Sequence, residues 1–234
     1  MVTIKILTRP SLEIFESYQE LFLSILSEKE RYYILKSKKE KDRIEKTLGW
    51  ILCRMEASER FHVHPSGVVV AAHEKGKPYY GDFPELEFNL THGGDVIIAA
   101  FSENRAVGVD VEALTRKANL EIAKRYFTLS EATFIESLSE NDQRRAFLRF
   151  WTIKEAYLKM IGVGLTRPLD SFEIQYNEEC ISIYDNEVLQ LCDVVQNESD
   201  GKHIVTVCVE NRENKFQFSE IDLQTIITFV KKFK

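Results

Sequence analysis

Proline and glycine are scarce in this chain of 234 residues, with five and ten of them. That scarcity argues against a collagen-like or low-complexity polymer. With 44% hydrophobic residues there is enough apolar material for one large domain or two small ones. There is no basic surplus: Lys and Arg total 31 against 37 Asp and Glu, a formal net charge of −6. A general nucleic-acid binder would carry the opposite balance, although a local basic pocket for an anionic ligand remains compatible with it. No apolar run approaches the roughly 20 residues of a membrane helix, so no membrane partner is expected. The opening "MVTIKILTRP" lacks the long apolar centre of a signal peptide. The cysteines, Cys53, Cys180, Cys192 and Cys208, form no C-x-x-C pair and no metal spacing with a histidine. Reduced thiols and a cytoplasmic location are the expectation. Also missing are a P-loop, a G-x-G-x-x-G after a strand, a G-x-S-x-G and an H-E-x-x-H, which removes the common nucleotide, hydrolase and zinc-protease signatures.

What is present is ordered as helices then strands, twice. "VTIKIL" alternates as an opening strand, and apolar residues at helical spacing follow from Ser11 to Leu26. The charged "SEKERYYILKSKKEKDRIEK" reads as a solvated helix running into "TLGWILCRM". Four strands are expected in "GVVVAAHE", "LEFNLTH", "VIIAAFSE" and "AVGVDVE", with "HGGD" as a hairpin turn between the second and third. After Glu112 come helices in "NLEIAKRYF", "TLSEATFIESL", capped by Thr128 or Ser130, and the long "NDQRRAFLRFWTIKEAYLKMIG", ended by Gly162 or Gly164. Strands in "SFEIQYN", "CISIYD", "HIVTVCVE" and "FQFSEID" and a short helix in "LQTIITFVKKF" complete the chain. The fold class expected is α+β, with two halves, residues 1–112 and 113–234.

Three stretches could carry chemistry. In "VGVDVE", Asp110 and Glu112 share one face of a strand while Val107, Val109 and Val111 share the other. Two carboxylates placed so repel unless a cation lies between them. A hard divalent ion would serve, and a solvated edge strand is the plain alternative. In "FWTIKEAYLK", Trp151, Glu155 and Lys159 lie on one helical stripe with Lys154 on the adjoining flank. Glu155 and Lys159 also make an ordinary i,i+4 helix pair. In "GKPYY" and "FNLTHGG", Lys77, Thr91 and His92 stand at loop or strand ends and are compatible with phosphate. From the residues alone the case extends to a Mg²⁺-dependent phosphate or phosphoryl chemistry without a named substrate.

Taken together the motifs resemble the Sfp-type 4′-phosphopantetheinyl transferases, whose signature is G-[VI]-D-x-E followed some forty residues later by W-[ST]-x-K-E-[AS]-x-x-K. The likeness extends to "GKP" at 76–78, "FNLTHGG" at 88–94, "LEIAKRYF" at 120–127 and "GVGLTRPLDSFEI" at 162–174. It implies a pseudo-dimer of two similar α/β halves, each a mainly antiparallel sheet packed by helices, working as a monomer. It implies transfer of the phosphopantetheine arm of coenzyme A to a serine of an apo acyl or peptidyl carrier protein. The first half would supply the coenzyme A groups and two metal acids, the second the catalytic helix and the carrier contact. By resemblance Asp110, Glu112 and Glu155 hold Mg²⁺. Glu155 is also the candidate base, Lys159 stabilises the transferring group and contacts coenzyme A, and Lys154 has a supporting catalytic role. Lys77, Thr91 and His92 would contact coenzyme A phosphates. Where relatives carry a further basic residue this chain has Glu45 in "DRIEK", so Arg43 and Lys46 are the substitutes expected for the 3′-phosphate, with Lys75 in reserve. Lys124 and Arg125 are the candidate carrier contacts. A catalytically inactive binding protein on the same scaffold is the alternative.

Overall fold

A computed structural model describes residues 1–176, 180–211 and 214–234. The first half runs β1 (Val2–Thr8), α1 (Leu12–Leu23), α2 (Glu28–Leu35), α3 (Glu40–Phe61), β2 (Val70–Ala72), β3 (Pro78–Tyr80), β4 (Leu86–Gly93), β5 (Val96–Glu103) and β6 (Val107–Ala113). The second runs α4 (Leu120–Tyr126), α5 (Leu129–Ser137), α6 (Glu140–Ile161), β7 (Phe172–Tyr176), β8 (Ile181–Asp185), β9 (Val188–Leu189), β10 (Cys192–Ser199), β11 (His203–Glu210), β12 (Phe216–Ile221) and α7 (Leu223–Lys232). The last residue of the expected strand "SFEIQYN", Asn177, lies outside the described residues.

Two sheets stack at the centre. One has the order β12-β1-β5-β4 and the other β10-β11-β6. Their facing sides interdigitate Val2, Ile4, Val96, Ile98 and Ala100 with Val107, Val109, Val111, Val205, Val207 and Val209, all buried. Period-2 alternation then turns the opposite sides outward. There each sheet takes one 22-residue helix, α3 on the first and α6 on the second. The layers are helix, sheet, sheet, helix, which is the mixed α+β arrangement expected.

Among the described residues the named strands pair antiparallel except β1 with β12, which is parallel. Hydrogen bonding crosses the chain midpoint in both directions. β6, from the first half, pairs with β11, and β12, from the second, pairs with β1. The acid-bearing strand therefore belongs to the sheet that carries α6.

Several local signals act as their chemistry demands. Thr128 caps α5 in a capping box with Glu131. Gly162 ends α6 with φ +72, the left-handed value that favours glycine. Other expectations are corrected. The single charged helix of residues 27–46 is two, because Ser27 and Glu30 form a capping box that starts α2 while Lys36 ends it. The strand expected over 67–74 shrinks to Val70–Ala72, since Pro65–Gly67 makes a single 3-10 turn. β10, with alternating apolar residues too weak to read as a strand, pairs along all of β11.

Candidate active site

The site begins with a missing side chain. A β-carbon on Gly108 would stand well inside van der Waals contact distance of the Ala156 carbonyl oxygen and the Met160 amide nitrogen, and 3.0 Å from the Lys159 carbonyl carbon. Glycine thus lets the last turns of α6 lie directly on β6. That contact brings the residues of "FWTIKEAYLK" against "VGVDVE".

Lys159 Nζ donates to Asp110 Oδ1 at 2.6 Å, to the Val109 carbonyl at 3.1 Å and to Thr91 Oγ1 at 3.2 Å, while the Thr91 hydroxyl is 3.3 Å from Asp110 Oδ1. Asp110 is only 6% exposed. Burial pushes its carboxyl above the usual range, and Lys159 pulls it back. Glu155 is raised as well, first by burial and then by the charge of Asp110, with Lys159 and Arg116 opposing. Asp110 Oδ2 and Glu155 Oε1 are both buried with no hydrogen-bond partner.

Both acids are raised in the folded chain, so each contributes stability that is complete below its unfolded pKa and fades as pH rises through the folded value. Glu155→Gln removes that penalty. Thermal melts in chelator are expected to show the variant gaining on the wild type as pH rises from the carboxylate range toward neutrality. A variant that loses ground to the wild type over that range would contradict the assignment.

The third acid is held differently. Glu112 pairs with Arg116, whose guanidinium lies 5.4 Å from the centre of the Trp151 ring. Among the described residues no group of three or more His, Cys, Asp or Glu is disposed as a metal site. Resident cations already engage two of the acids, Lys159 at Asp110 and Arg116 at Glu112. The two orphaned carboxylate oxygens nevertheless fit a hard cation, which takes oxygen ligands and would satisfy what the protein leaves unsatisfied.

β4 supplies the rest from both of its faces. Glu87, Asn89 and Thr91 share one. Glu87 Oε2 is 3.5 Å from Lys77 Nζ, the buried Asn89 side chain accepts the Val109 N–H at 3.0 Å, and Thr91 meets Asp110. Asn89 thereby replaces a strand partner where β4 passes β6 between the two sheets. It escaped the sequence reading, although a polar residue at every second position of "LEFNLT" was the available signal. Lys77 also donates to the Met160 carbonyl at 3.0 Å, closing the last turn of α6, and burial lowers its pKa.

His92 points the other way, toward α3. Its Nδ1 lies 3.1 Å from Oε2 of Glu45, a buried oxygen that makes no hydrogen bond. Glu45 is 2% exposed and also gathers Arg9 at 3.3 Å and Lys41 at 3.5 Å. Both cations reach the Gly94 carbonyl, at 3.3 Å and 3.4 Å. Arg43 and Lys46 do not join them. Arg43 is 4.0 Å from Glu40, and Lys46 donates to Ser37 at 2.8 Å. The reason is helical spacing: Lys41 stands one turn before Glu45 on the same face, whereas 43 and 46 project elsewhere. Arg9 had no sequence signal, because it arrives from the end of β1.

Lys154 is a correction. Its side chain is fully buried and points away from Asp110. Its Nζ donates to the carbonyls of Leu169 at 2.8 Å and Phe172 at 2.9 Å and pairs with Glu131 at 2.9 Å. One residue turns about 100° on a helix, so Lys154 faces the second core while its neighbour Glu155 faces β6. Its role is to hold the loop before β7, and α5, onto α6.

Comparison with known proteins follows the same outline. The 4′-phosphopantetheinyl transferase superfamily model matches residues 106–208, and the N-terminal model of 4′-phosphopantetheinyl transferase matches 13–104. 4′-Phosphopantetheinyl transferase Sfp of Bacillus subtilis (strain 168) is 30% identical over 81% of this chain and 84% of its own length. 4′-Phosphopantetheinyl transferase ffp of Bacillus subtilis is 33% identical over 69% of this chain and 71% of its own. 4′-Phosphopantetheinyl transferase HetI of Nostoc sp. is 39% identical over 48% of each.

Proposed function

This chain belongs to the 4′-phosphopantetheinyl transferase family, and from that premise we propose that it moves the phosphopantetheine arm of coenzyme A onto a serine of an apo carrier protein. The observation that carries the reading is the meeting of Thr91, Asp110 and Lys159 beside two orphaned carboxylate oxygens, on Asp110 and Glu155. The serine oxygen attacks the phosphorus that bears the pantetheine arm. The bond to the bridging pyrophosphate oxygen breaks, and 3′,5′-ADP leaves with that electron pair.

Asp110, Glu112 and Glu155 are the residues that would hold Mg²⁺, which when bound supplies charge neutralisation at the pyrophosphate. Lys159, released from Asp110, brings its ammonium to the transferring group. Glu155 is also the candidate to take the serine proton, directly or through water, on whichever oxygen the metal leaves free. Thr91 and Lys77 serve the phosphates on the β6 side, and His92 serves them on the α3 side. Arg9 and Lys41, gathered by Glu45, take the place that Arg43 and Lys46 were expected to fill. Arg9→Ala is expected to raise KM for coenzyme A about threefold to tenfold with kcat little changed, the signature of lost ground-state binding. Steady-state kinetics with saturating carrier would reveal it.

We further propose the division at 112/113. The first half contributes the coenzyme A groups with Asp110 and Glu112, the second the catalytic helix and the carrier contact through Lys124 and Arg125. Lys124 is engaged with Glu121 and Glu136 on the surface, pairs that an acidic carrier helix would replace. A monomer in the cytoplasm completes the proposal. Among the described residues no helix is long and apolar enough to cross a membrane.

The deciding experiment incubates the protein with coenzyme A, Mg²⁺ and a panel of apo carriers. Intact mass spectrometry should show a carrier heavier by one phosphopantetheine arm. Release of phosphate without a carrier adduct would replace this reading with a phosphohydrolase, and carrier binding without an adduct would replace it with the inactive binding protein.

A further inference from the structure

Arg116 stands in the acid cluster without any place in the two signature motifs. The turn after β6 puts it there: its N–H donates to the Ala113 carbonyl at 2.8 Å, and Leu114 N–H donates to Lys202 O at 2.7 Å, so the chain folds back over its own strand. The guanidinium pairs with Glu112, lies 5.4 Å from the Trp151 ring centre, and acts electrostatically on Glu155 one turn further along α6. In the protein alone the charge of Asp110, Glu112 and Glu155 is thus opposed from two sides, by Lys159 at Asp110 and by Arg116 at Glu112. The Arg116 side chain is also 40% exposed, so it can withdraw to solvent without leaving a buried charge behind.

We propose that Arg116 is a resident counter-cation, displaced from Glu112 and from the face of Trp151 when a divalent cation enters, and that it thereby sets the affinity of the site for that cation. The inference rests on the metal reading of Asp110, Glu112 and Glu155. Two cations cannot both draw on the one Glu112 carboxylate at full strength, so the guanidinium on Oε1 opposes metal entry by the worth of its ion pair and its aromatic contact. For partly exposed groups these amount together to about a threefold to tenfold change in dissociation constant.

The test uses the full chain without coenzyme A, titrated with Mg²⁺ by calorimetry and with Mn²⁺ by electron paramagnetic resonance. A Trp50→Phe background leaves Trp151 as the sole tryptophan reporter. Arg116→Gln should tighten both ions by about threefold to tenfold. Arg116→Lys keeps the charge but not the planar face, and should also bind more tightly than wild type. Metal should change Trp151 fluorescence in the Arg116 protein with the same midpoint as the heat, and that change should vanish in Arg116→Gln. Saturable binding that Arg116→Gln leaves unchanged or weakens overturns this inference alone. Tightening in Arg116→Gln but not in Arg116→Lys, with no Trp151 response, reduces Arg116 to a distant charge and overturns displacement. No saturable binding in any of the proteins overturns the metal assignment and this inference with it.

Discussion

Gly108→Val is expected to cut phosphopantetheine transfer by about 100-fold or more, because the catalytic groups of α6 have no room to keep their place. Even the first carbon of the new side chain overlaps the Ala156 carbonyl and the Met160 amide nitrogen. Both are helix backbone, which cannot swing aside as a side-chain tip can. α6 must lift from β6, and Lys159 and Glu155 move with it, away from Asp110. Overpacking of this kind costs about 1–3 kcal/mol of stability as well. The comparison that isolates the cause is Asp110→Asn, which keeps the shape and should lose transfer without a fall in melting temperature. Measuring carrier modification by mass and unfolding by circular dichroism separates the two. A Gly108→Val protein with near-normal transfer would mean that the helix is not seated as described.

Lys154→Met is expected to destabilise the protein by about 3–5 kcal/mol, the usual cost of breaking a buried ion pair by removing one partner. Glu131 would stay in the core without its cation, and the carbonyls of Leu169 and Phe172 would lose their donor. Glu131 also accepts the Ile174 N–H at 2.7 Å and the Thr128 N–H at 3.0 Å, so its loss of balance reaches β7 and the start of α5. Denaturant unfolding would give the magnitude. Lys154→Met combined with Glu131→Gln should recover part of it, since the remaining side chain no longer carries a buried charge. Failure to recover would place the cost in the carbonyls alone. Any fall in transfer should follow the loss of folded protein, in contrast to Asp110→Asn.

These two residues show where reading a linear pattern succeeds and where it stops. Both motifs were legible because each is local: a two-residue period places Asp110 with Glu112, and a 3.6-residue period places Trp151, Glu155 and Lys159 on one stripe. Lys154 was legible as a motif residue and misplaced as a catalytic one, because adjacent helix positions face different neighbours and nothing in the string names them. Thr91 and His92 were read as a pair, yet a strand sends them to opposite faces, one to Asp110 and the other to Glu45. The stretch "DRIEK" points to residues 43 and 46 for the basic groups near His92. Arg9 came instead from more than thirty residues upstream, brought by the register of β1 against β5. Asn89 had a faint signal in its alternation, and Arg116 had none.

The amino-acid order by itself determined most of the element types, the two apolar faces that become stacked sheets, and the acid and lysine spacing that marks the family. Those depend on backbone periodicity and on side chains a few positions apart. Only the tertiary structure decided that β6 pairs with β11 and β12 with β1, that Gly108 seats a helix, that Lys154 is buried, and that Lys159 and Arg116 already occupy the acids a metal would claim. Most of those depend on groups far apart in the chain competing for one small volume, and Arg116, only four residues from Glu112, reaches it because the turn after β6 folds the chain back. Which of them wins is set by packing and charge in three dimensions, where sequence distance has no meaning.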